Sequence, residues 1–506
     1  MKMSNLNKDT LFLIFEELRD DSKSLFSCLM VNRIWCETVV PVLWRNPWSY
    51  NGINYRNKSY LFIILANYLF DDIKKFITEQ GIYLNSVVVK SLLFDYLSFC
   101  RSINVDNLNS IFSIGSSLAY NQFFMQQEFY SLFMRKCPEL KYFDMRSIQH
   151  QIFYFPEAKV RLESLCELKC DTYVNSSYFY GLSRFCQCIQ KLVIFNIEDS
   201  IPNHGIVRLI EVQKNLKHFE WKDNFYNYDN FEDPYEEILL ALEKKAESLN
   251  YLSIIFQDVE DYEHVLIQRI LPKFYKLRVL FISASLWFTD QQLNQLKMQV
   301  YHELEILYMD ENELNFYSNI IENSGGRLKK ILFRPYDIIS SEIEDYHDFD
   351  ENSLNFIRKV YENCPSIEYL SILISPTKEN FSELEKLLKI CQNLKSLLIV
   401  ILDNYDDTHE DFLGYGNELL EILIRSAPIN FKEIRFGREF KFSLKSLEKF
   451  LENWRGRRAL SLFTLDSIFT SDDYTKLINK YKDDKVIKDF NYCIYGINYY
   501  IDDLIT

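Results

Sequence analysis

A chain of 506 residues, 48% apolar and 25% charged, is long enough for several cores or one elongated repeat array and too apolar for wholesale disorder. Its net charge of −15 excludes a general phosphate-binding surface, which needs stripes of Lys and Arg, so no nucleic-acid partner is expected. With only 12 glycines and 11 prolines, an all-β protein built on tight turns is disfavoured, and long helices joined economically are favoured. The apolar run Leu11–Phe15 ends at Glu16-Glu17, too short for a signal peptide. Tyr60–Phe70 falls short of the roughly 20 apolar residues a membrane span requires and is followed by Asp71-Asp72. A soluble chain of the cytoplasm or nucleus, without membrane contact, is therefore expected. Its eleven cysteines read as reduced thiols. Cys166, Cys170, Cys186 and Cys188 fit no standard zinc spacing, so neither a metal nor another cofactor is expected.

The first predicted unit is residues 1–48. Leu6, Leu11, Ile14, Phe15 and Leu18 recur at helical spacing, with Asp9 near the positive end of the helix dipole. Ser22 can cap a second helix carrying Leu25, Phe26 and Leu29. A third holds Val31, Ile34, Trp35, Val39 and Val40, and Pro41 is expected to break it before Leu43-Trp44. Three such short helices bury little surface alone, so the unit is expected to dock on something else.

Leu6-Asn7-Lys8-Asp9-Thr10-Leu11-Phe12-Leu13-Ile14-Phe15-Glu16-Glu17-Leu18 resembles the opening of the F-box, although Asn7 stands where that family usually has proline. Ser27–Trp35 is similar to its second block, and Pro41-Val42-Leu43-Trp44 to its end. The resemblance implies that Leu6, Asn7, Asp9, Leu11, Ile14, Phe15 and Trp35 lie at or under a surface for a Skp-family adaptor, and through it a cullin.

Residues 49–130 read as a joint: Tyr60–Gln80 is predicted helical, and Val87–Leu97 is an early strand candidate with Val89, Leu92 and Phe94 inside. From 131 to 506 one phrase returns, about 13 times. Its strictest copies place an apolar residue four before a cysteine, as in Phe133…Cys137-Pro138-Glu139-Leu140-x-x-Phe143-x-Met145. The others run from Leu182 through Cys186 to Ile194, from Val360 through Cys364 to Ile372, and from Leu387 through Cys391 to Ile399. Looser copies include Leu216/Phe219/Trp221 and Leu460/Phe463/Leu465; Leu165/Leu168/Cys170 and Ile487/Phe490/Tyr492 are the weakest. Period 3.6 switches to period 2 within each copy, as a helix-to-strand transition requires. The predicted fold class is therefore α/β, a solenoid with parallel strands on a concave face and helices behind, its cysteines packed at helix ends. Repeats of this length resemble the cysteine-containing leucine-rich repeats that follow many F-boxes.

Three copies carry acidic insertions just after the strand, Lys222–Glu237, Asp337–Glu351 and Asp403–Asp411, holding 6, 7 and 5 acidic residues. Removing those 18 acids and Lys222 leaves 54 acids against 56 bases, so the whole negative excess lies there. Strand-exit loops share one edge of a solenoid, so Asp229, Glu232, Asp233, Tyr235, Asp345, Tyr346, Asp348, Asp406 and Asp407 are candidates for an acidic, aromatic rim that docks a basic target segment. Solvated loops are the plainer reading.

Catalytic motifs are missing: the sequence holds no phosphate-cradling glycine loop, nucleophile elbow or HExxH helix, and its seven histidines are dispersed. The resemblance thus implies a non-catalytic substrate receptor of an SCF-type (cullin-RING) ubiquitin ligase. The alternatives are an adaptor-independent repeat scaffold and an enzyme with a concealed site.

Overall fold

In a computed structural model the described residues are 6–48, 59–79, 91–115, 118–197, 203–224, 235–256, 265–283, 289–310, 314–333, 349–401, 409–437, 441–464 and 467–492. The chain divides into two compact units, Met1–Lys245 and Ala246–Thr506.

The first unit opens with three helices, α1 (Lys8–Glu17), α2 (Ser22–Cys28) and α3 (Arg33–Arg45). Its strands are β1 (Ser102–Asn104), β2 (Tyr142–Asp144), β3 (Glu167–Asp171), β4 (Lys191–Asn196) and β5 (His218–Asp223). They pair in chain order, all parallel, and the register aligns Ile103, Phe143, Leu168, Leu192 and Phe219 in one buried row. The second unit repeats the plan with β6 (Tyr251–Ile255), β7 (Val279–Ser283), β8 (Ile306–Asp310), β9 (Lys330–Leu332), β10 (Tyr369–Ile374), β11 (Ser396–Ile401), β12 (Glu433–Gly437), β13 (Leu460–Thr464) and β14 (Ile487–Tyr492). Here the aligned row runs Leu252, Leu280, Leu307, Ile331, Leu370, Leu397, Ile434, Leu462 and Phe490. Helices separate successive strands and pack on one another, for example Ser176–Ser183 on His204–Val212 and Phe349–Asn363 on Lys378–Ile390. Each unit is thus a solenoid-like α/β array, as the repeating phrase predicts.

The cysteine of the phrase has a clear local role. The N–H groups of Cys137, Cys186, Cys364 and Cys391 donate to the carbonyls of Phe133, Leu182, Val360 and Leu387 at 3.0, 2.8, 2.8 and 2.8 Å. Each closes the last turn of a helix through the apolar residue four positions earlier, and each is fully buried. Burial pushes the Cys186 and Cys391 thiols up to about 12 and that of Cys364 to about 11, so these sulfurs pack as small neutral hydrophobes.

Three sequence expectations need correction. The copy Leu460/Phe463/Leu465 is out of phase by one residue. Leu462 pairs with Ile434 and Thr464 with Phe436, so Leu460, Leu462 and Thr464 are interior and Phe463 turns to the other face. The polar Thr464 in an interior slot hides the true phase. Residues 80–90 lie outside the described residues, so Val87 and Val89 do too. Ser91–Asp95 forms no strand, and the first strand among the described residues is β1, whose single apolar residue, Ile103, gives no alternation to detect. Pro41 does not end α3, which runs through to Arg45. Burial of Val39, Val40, Val42 and Leu43 on both sides of the proline offsets the missing backbone hydrogen bond. The Tyr60–Gln80 segment contains two helices, Ser59–Ala66 and Asp71–Glu79, with Gln80 outside the described residues.

Candidate docking surface on the N-terminal helices

Each of the three N-terminal helices begins at a side-chain cap. Asn7 Oδ1 accepts from Thr10 N at 2.8 Å, Asp21 Oδ1 from Ser24 N at 3.0 Å, and Asn32 Oδ1 from Trp35 N at 3.0 Å. Asp21, not Ser22, therefore caps α2, and Asn7 serves as an effective cap of α1. The core of the unit is Leu11, Phe15, Leu25, Cys28, Val39, Val42 and Leu43, with Leu18, Phe26, Leu29, Trp35 and Trp44 packed around it. Phe15 meets Trp35 edge-on with ring centroids 5.5 Å apart. The Arg45 guanidinium pairs with Glu16 at 2.7 Å, tying the end of α3 to α1.

This core consumes only part of the apolar content. Leu6, Phe12, Leu13, Ile14, Met30, Val31 and Ile34 are exposed, Leu13 at 66% and Met30 at 87%. Among the described residues 26 large apolar side chains are exposed, and these seven fall within 29 residues of sequence. Isolated exposed apolar residues are ordinary, but this density on one small unit makes it a candidate interaction surface.

The structure sorts the sequence candidates accordingly. Leu6, Asn7, Asp9 and Ile14 are at the surface. Leu11 and Phe15 lie beneath it, and the half-buried Trp35 braces Phe15. Phe12, Leu13, Met30, Val31 and Ile34 were missed as surface candidates. For Phe12 and Leu13 the signal was present, because Leu11–Phe15 is apolar on every side of its helix, a pattern that a two-layer unit cannot bury by itself.

The unit is not loosely tethered. Trp48 Nε1 donates to Ser102 O at 3.0 Å, Arg101 N to Arg45 O at 2.9 Å, and Ser102 Oγ to Asn46 Oδ1 at 2.9 Å. The Trp44 ring lies 4.5 Å from that of Tyr96, and the Trp48 ring 6.2 Å from that of Phe133. The end of α3 is therefore bonded directly to the first strand of the array.

The acidic rim divides differently. Asp229, Glu232, Asp233, Asp345, Tyr346, Asp348, Asp406 and Asp407 lie outside the described residues. Tyr235 is buried rather than displayed: its hydroxyl donates to Asp223 Oδ2 at 2.6 Å and its ring meets Trp221 edge-on at 6.1 Å. It anchors the strand exit. Of the four clustered cysteines, Cys170 and Cys186 are buried, Cys166 is half-buried and Cys188 is exposed. Among the described residues no three His, Cys, Asp or Glu side chains gather as a metal cage would need. No described helix is long and apolar enough to cross a membrane. The chain matches no protein-family model and none of the curated proteins.

Proposed function

We propose that this chain is a non-catalytic substrate-recognition subunit of an SCF-type (cullin-RING) ubiquitin ligase. Its N-terminal helices bind a Skp-family adaptor, and through it a cullin, while the repeat array binds a target protein. The observation that carries the reading is the exposed apolar surface on α1 and the α2–α3 region, in the segment whose sequence resembles an F-box. Burying one such side chain contributes about 1.5–3 kcal/mol. Leu13, Ile14, Met30 and Ile34 together would then offset much of the ~4–15 kcal/mol that association costs. The bonded joint to β1 would hold the target at a fixed bearing from the adaptor, so ubiquitin transfer is promoted by proximity rather than by chemistry on this chain.

The test is co-purification of the full chain with a Skp-family adaptor, alongside Leu13→Asp and Met30→Asp. Both positions are exposed, so these variants should fold normally and retain the adaptor at least tenfold less well. A folded full chain that retains no adaptor would overturn the ligase reading and leave a repeat scaffold.

A further inference from the structure

On the sheet of the first unit, the face turned away from the interior row is mostly polar. Strand alternation and register place Tyr142, Glu167, Lys191 and His218 in one line across β2–β5, and Asp144, Lys169, Val193 and Glu220 in the next. Val193 is buried, whereas the charged side chains are partly exposed. Most of these charges are already engaged. Arg146 donates to both oxygens of Asp144, at 2.8 and 2.6 Å. Glu220 holds His218 at 2.6 Å and Lys222 at 2.8 Å. Asp171 is buried and accepts from the backbone N–H groups of Ser147 and Val174 at 2.7 and 3.3 Å.

Lys169 and Lys191 differ. Both ammonium groups flank one oxygen, Glu167 Oε1, at 3.9 and 3.8 Å, and among the described residues neither makes a hydrogen bond. Their other cross-strand neighbours are taken, Asp144 by Arg146 and His218 by Glu220. Two ammonium groups against one carboxylate leave one positive charge over, with unfilled N–H donors. The lysine side chains are 40% and 35% exposed and Glu167 only 23%, so the cations stand outermost. Beside them lies a groove of about 430 Å³, lined by Trp48, Asp106, Tyr142, Arg146, Glu167 and Lys169 among others. Asp106, 3.6 Å from Arg146, makes the β1 end of the groove acidic, so an anion is accepted only at the lysine end.

We propose that Lys169 and Lys191 are the anion contact of the target site, and that they receive one Asp or Glu side chain of a target segment lying along the groove. The inference rests on the reading of the array as a target receptor and names the chemistry of that target. A carboxylate brings one charge, equal to the surplus, and two oxygens, one for each ammonium group. A phosphoryl group carries about −1.5 to −2 and would overfill the spot beside Glu167 and Asp144. The buried Val193, cross-strand neighbour of Lys169, keeps the floor of the contact apolar, which strengthens a charged hydrogen bond formed above it.

Random linear peptides displayed on phage and selected on the full chain test it. The selected sequences should share an Asp or Glu at one fixed position. A synthetic peptide of the strongest binder should lose about tenfold in affinity when that residue becomes Gln, and again when the chain carries Lys169→Gln with Lys191→Gln. Neither lysine makes a hydrogen bond, so the double variant should fold, and Lys169→Arg with Lys191→Arg, which keeps the charge, should bind like the wild type. Selection of no peptide, selection without a shared acid, affinity indifferent to the folded double variant, or tighter binding of a phosphoserine form would each overturn the proposal. If the Gln pair does not fold, the Gln-substituted peptide and the Arg pair decide. Adaptor retention is measured separately: a chain that selects acidic peptides through these lysines yet retains no adaptor keeps this site and loses the ligase reading.

Discussion

Gln213 shows what the cysteine slot demands. It occupies the position three before Leu216 that Cys186 occupies before Ile189, and it is buried. The Cys186 thiol makes one weak hydrogen bond, to Leu162 O at 3.5 Å, whereas the amide makes three: Gln213 Oε1 accepts from Ile189 N at 2.9 Å, and Nε2 donates to Cys186 O and Leu209 O at 2.8 Å each. Replacing it would strand one buried backbone donor and weaken two acceptors, at roughly 1–3 kcal/mol for each group left unsatisfied. Gln213→Leu should therefore destabilise the fold by about 2–4 kcal/mol, against about 1 kcal/mol for Cys391→Ala. Denaturant titration of both variants checks the order, and equal costs would show that the slot is only a packing site. The cysteine-centred phrase was legible because Cys recurs beside a fixed apolar register. Gln213 was not, because a polar residue in a buried slot looks like a lapse in the pattern until its three partners are seen.

Between elements, the helices His204–Val212 and Ser176–Ser183 approach so closely that a Cβ on Gly205 would lie 2.2 Å from Ser176 O and 2.9 Å from the Phe179 Cβ. Gly205→Ala gains helix propensity but forces the pair apart. Overpacking of this kind costs about 1–3 kcal/mol, so Tm should fall by several degrees; a rise in Tm would show that the helices have room to separate. The interior positions of β10 and β11, Leu370 with Ile372 and Leu397 with Ile399, were legible, but the intervening Leu373, Leu398 and Val400, expected to face outward, are buried as well. The failures came where the pattern is thin: β1 offers only Ile103, and β13 carries Thr464 in an interior slot. The surface of α1 was half legible. Its amphipathic core positions stood out, but helical spacing alone does not say which of Leu11–Phe15 the other two helices cover.

For the whole molecule, the sequence supported a parallel α/β solenoid and thirteen strands beyond residue 131, which the described residues contain. It did not reveal the division at Lys245 and Ala246, because the repeating phrase continues through it. The bonded joint between α3 and β1 has a further consequence. A parallel sheet has two edges, and an uncovered edge is a template for pairing with another chain. Arg45 and Trp48 occupy the outer side of β1, with Arg45 O taking the Arg101 N–H and Trp48 taking Ser102 O. The N-terminal helices thus end-stop the array as well as presenting an apolar surface. A chain lacking residues 1–48 should expose that margin and self-associate, eluting from size exclusion as oligomers whose size grows with concentration; a monodisperse monomer would show that β1 protects itself. If it does self-associate, evolution cannot discard the N-terminal helices of such a chain wholesale without making it sticky, and any change of the surface they present would have to proceed one residue at a time.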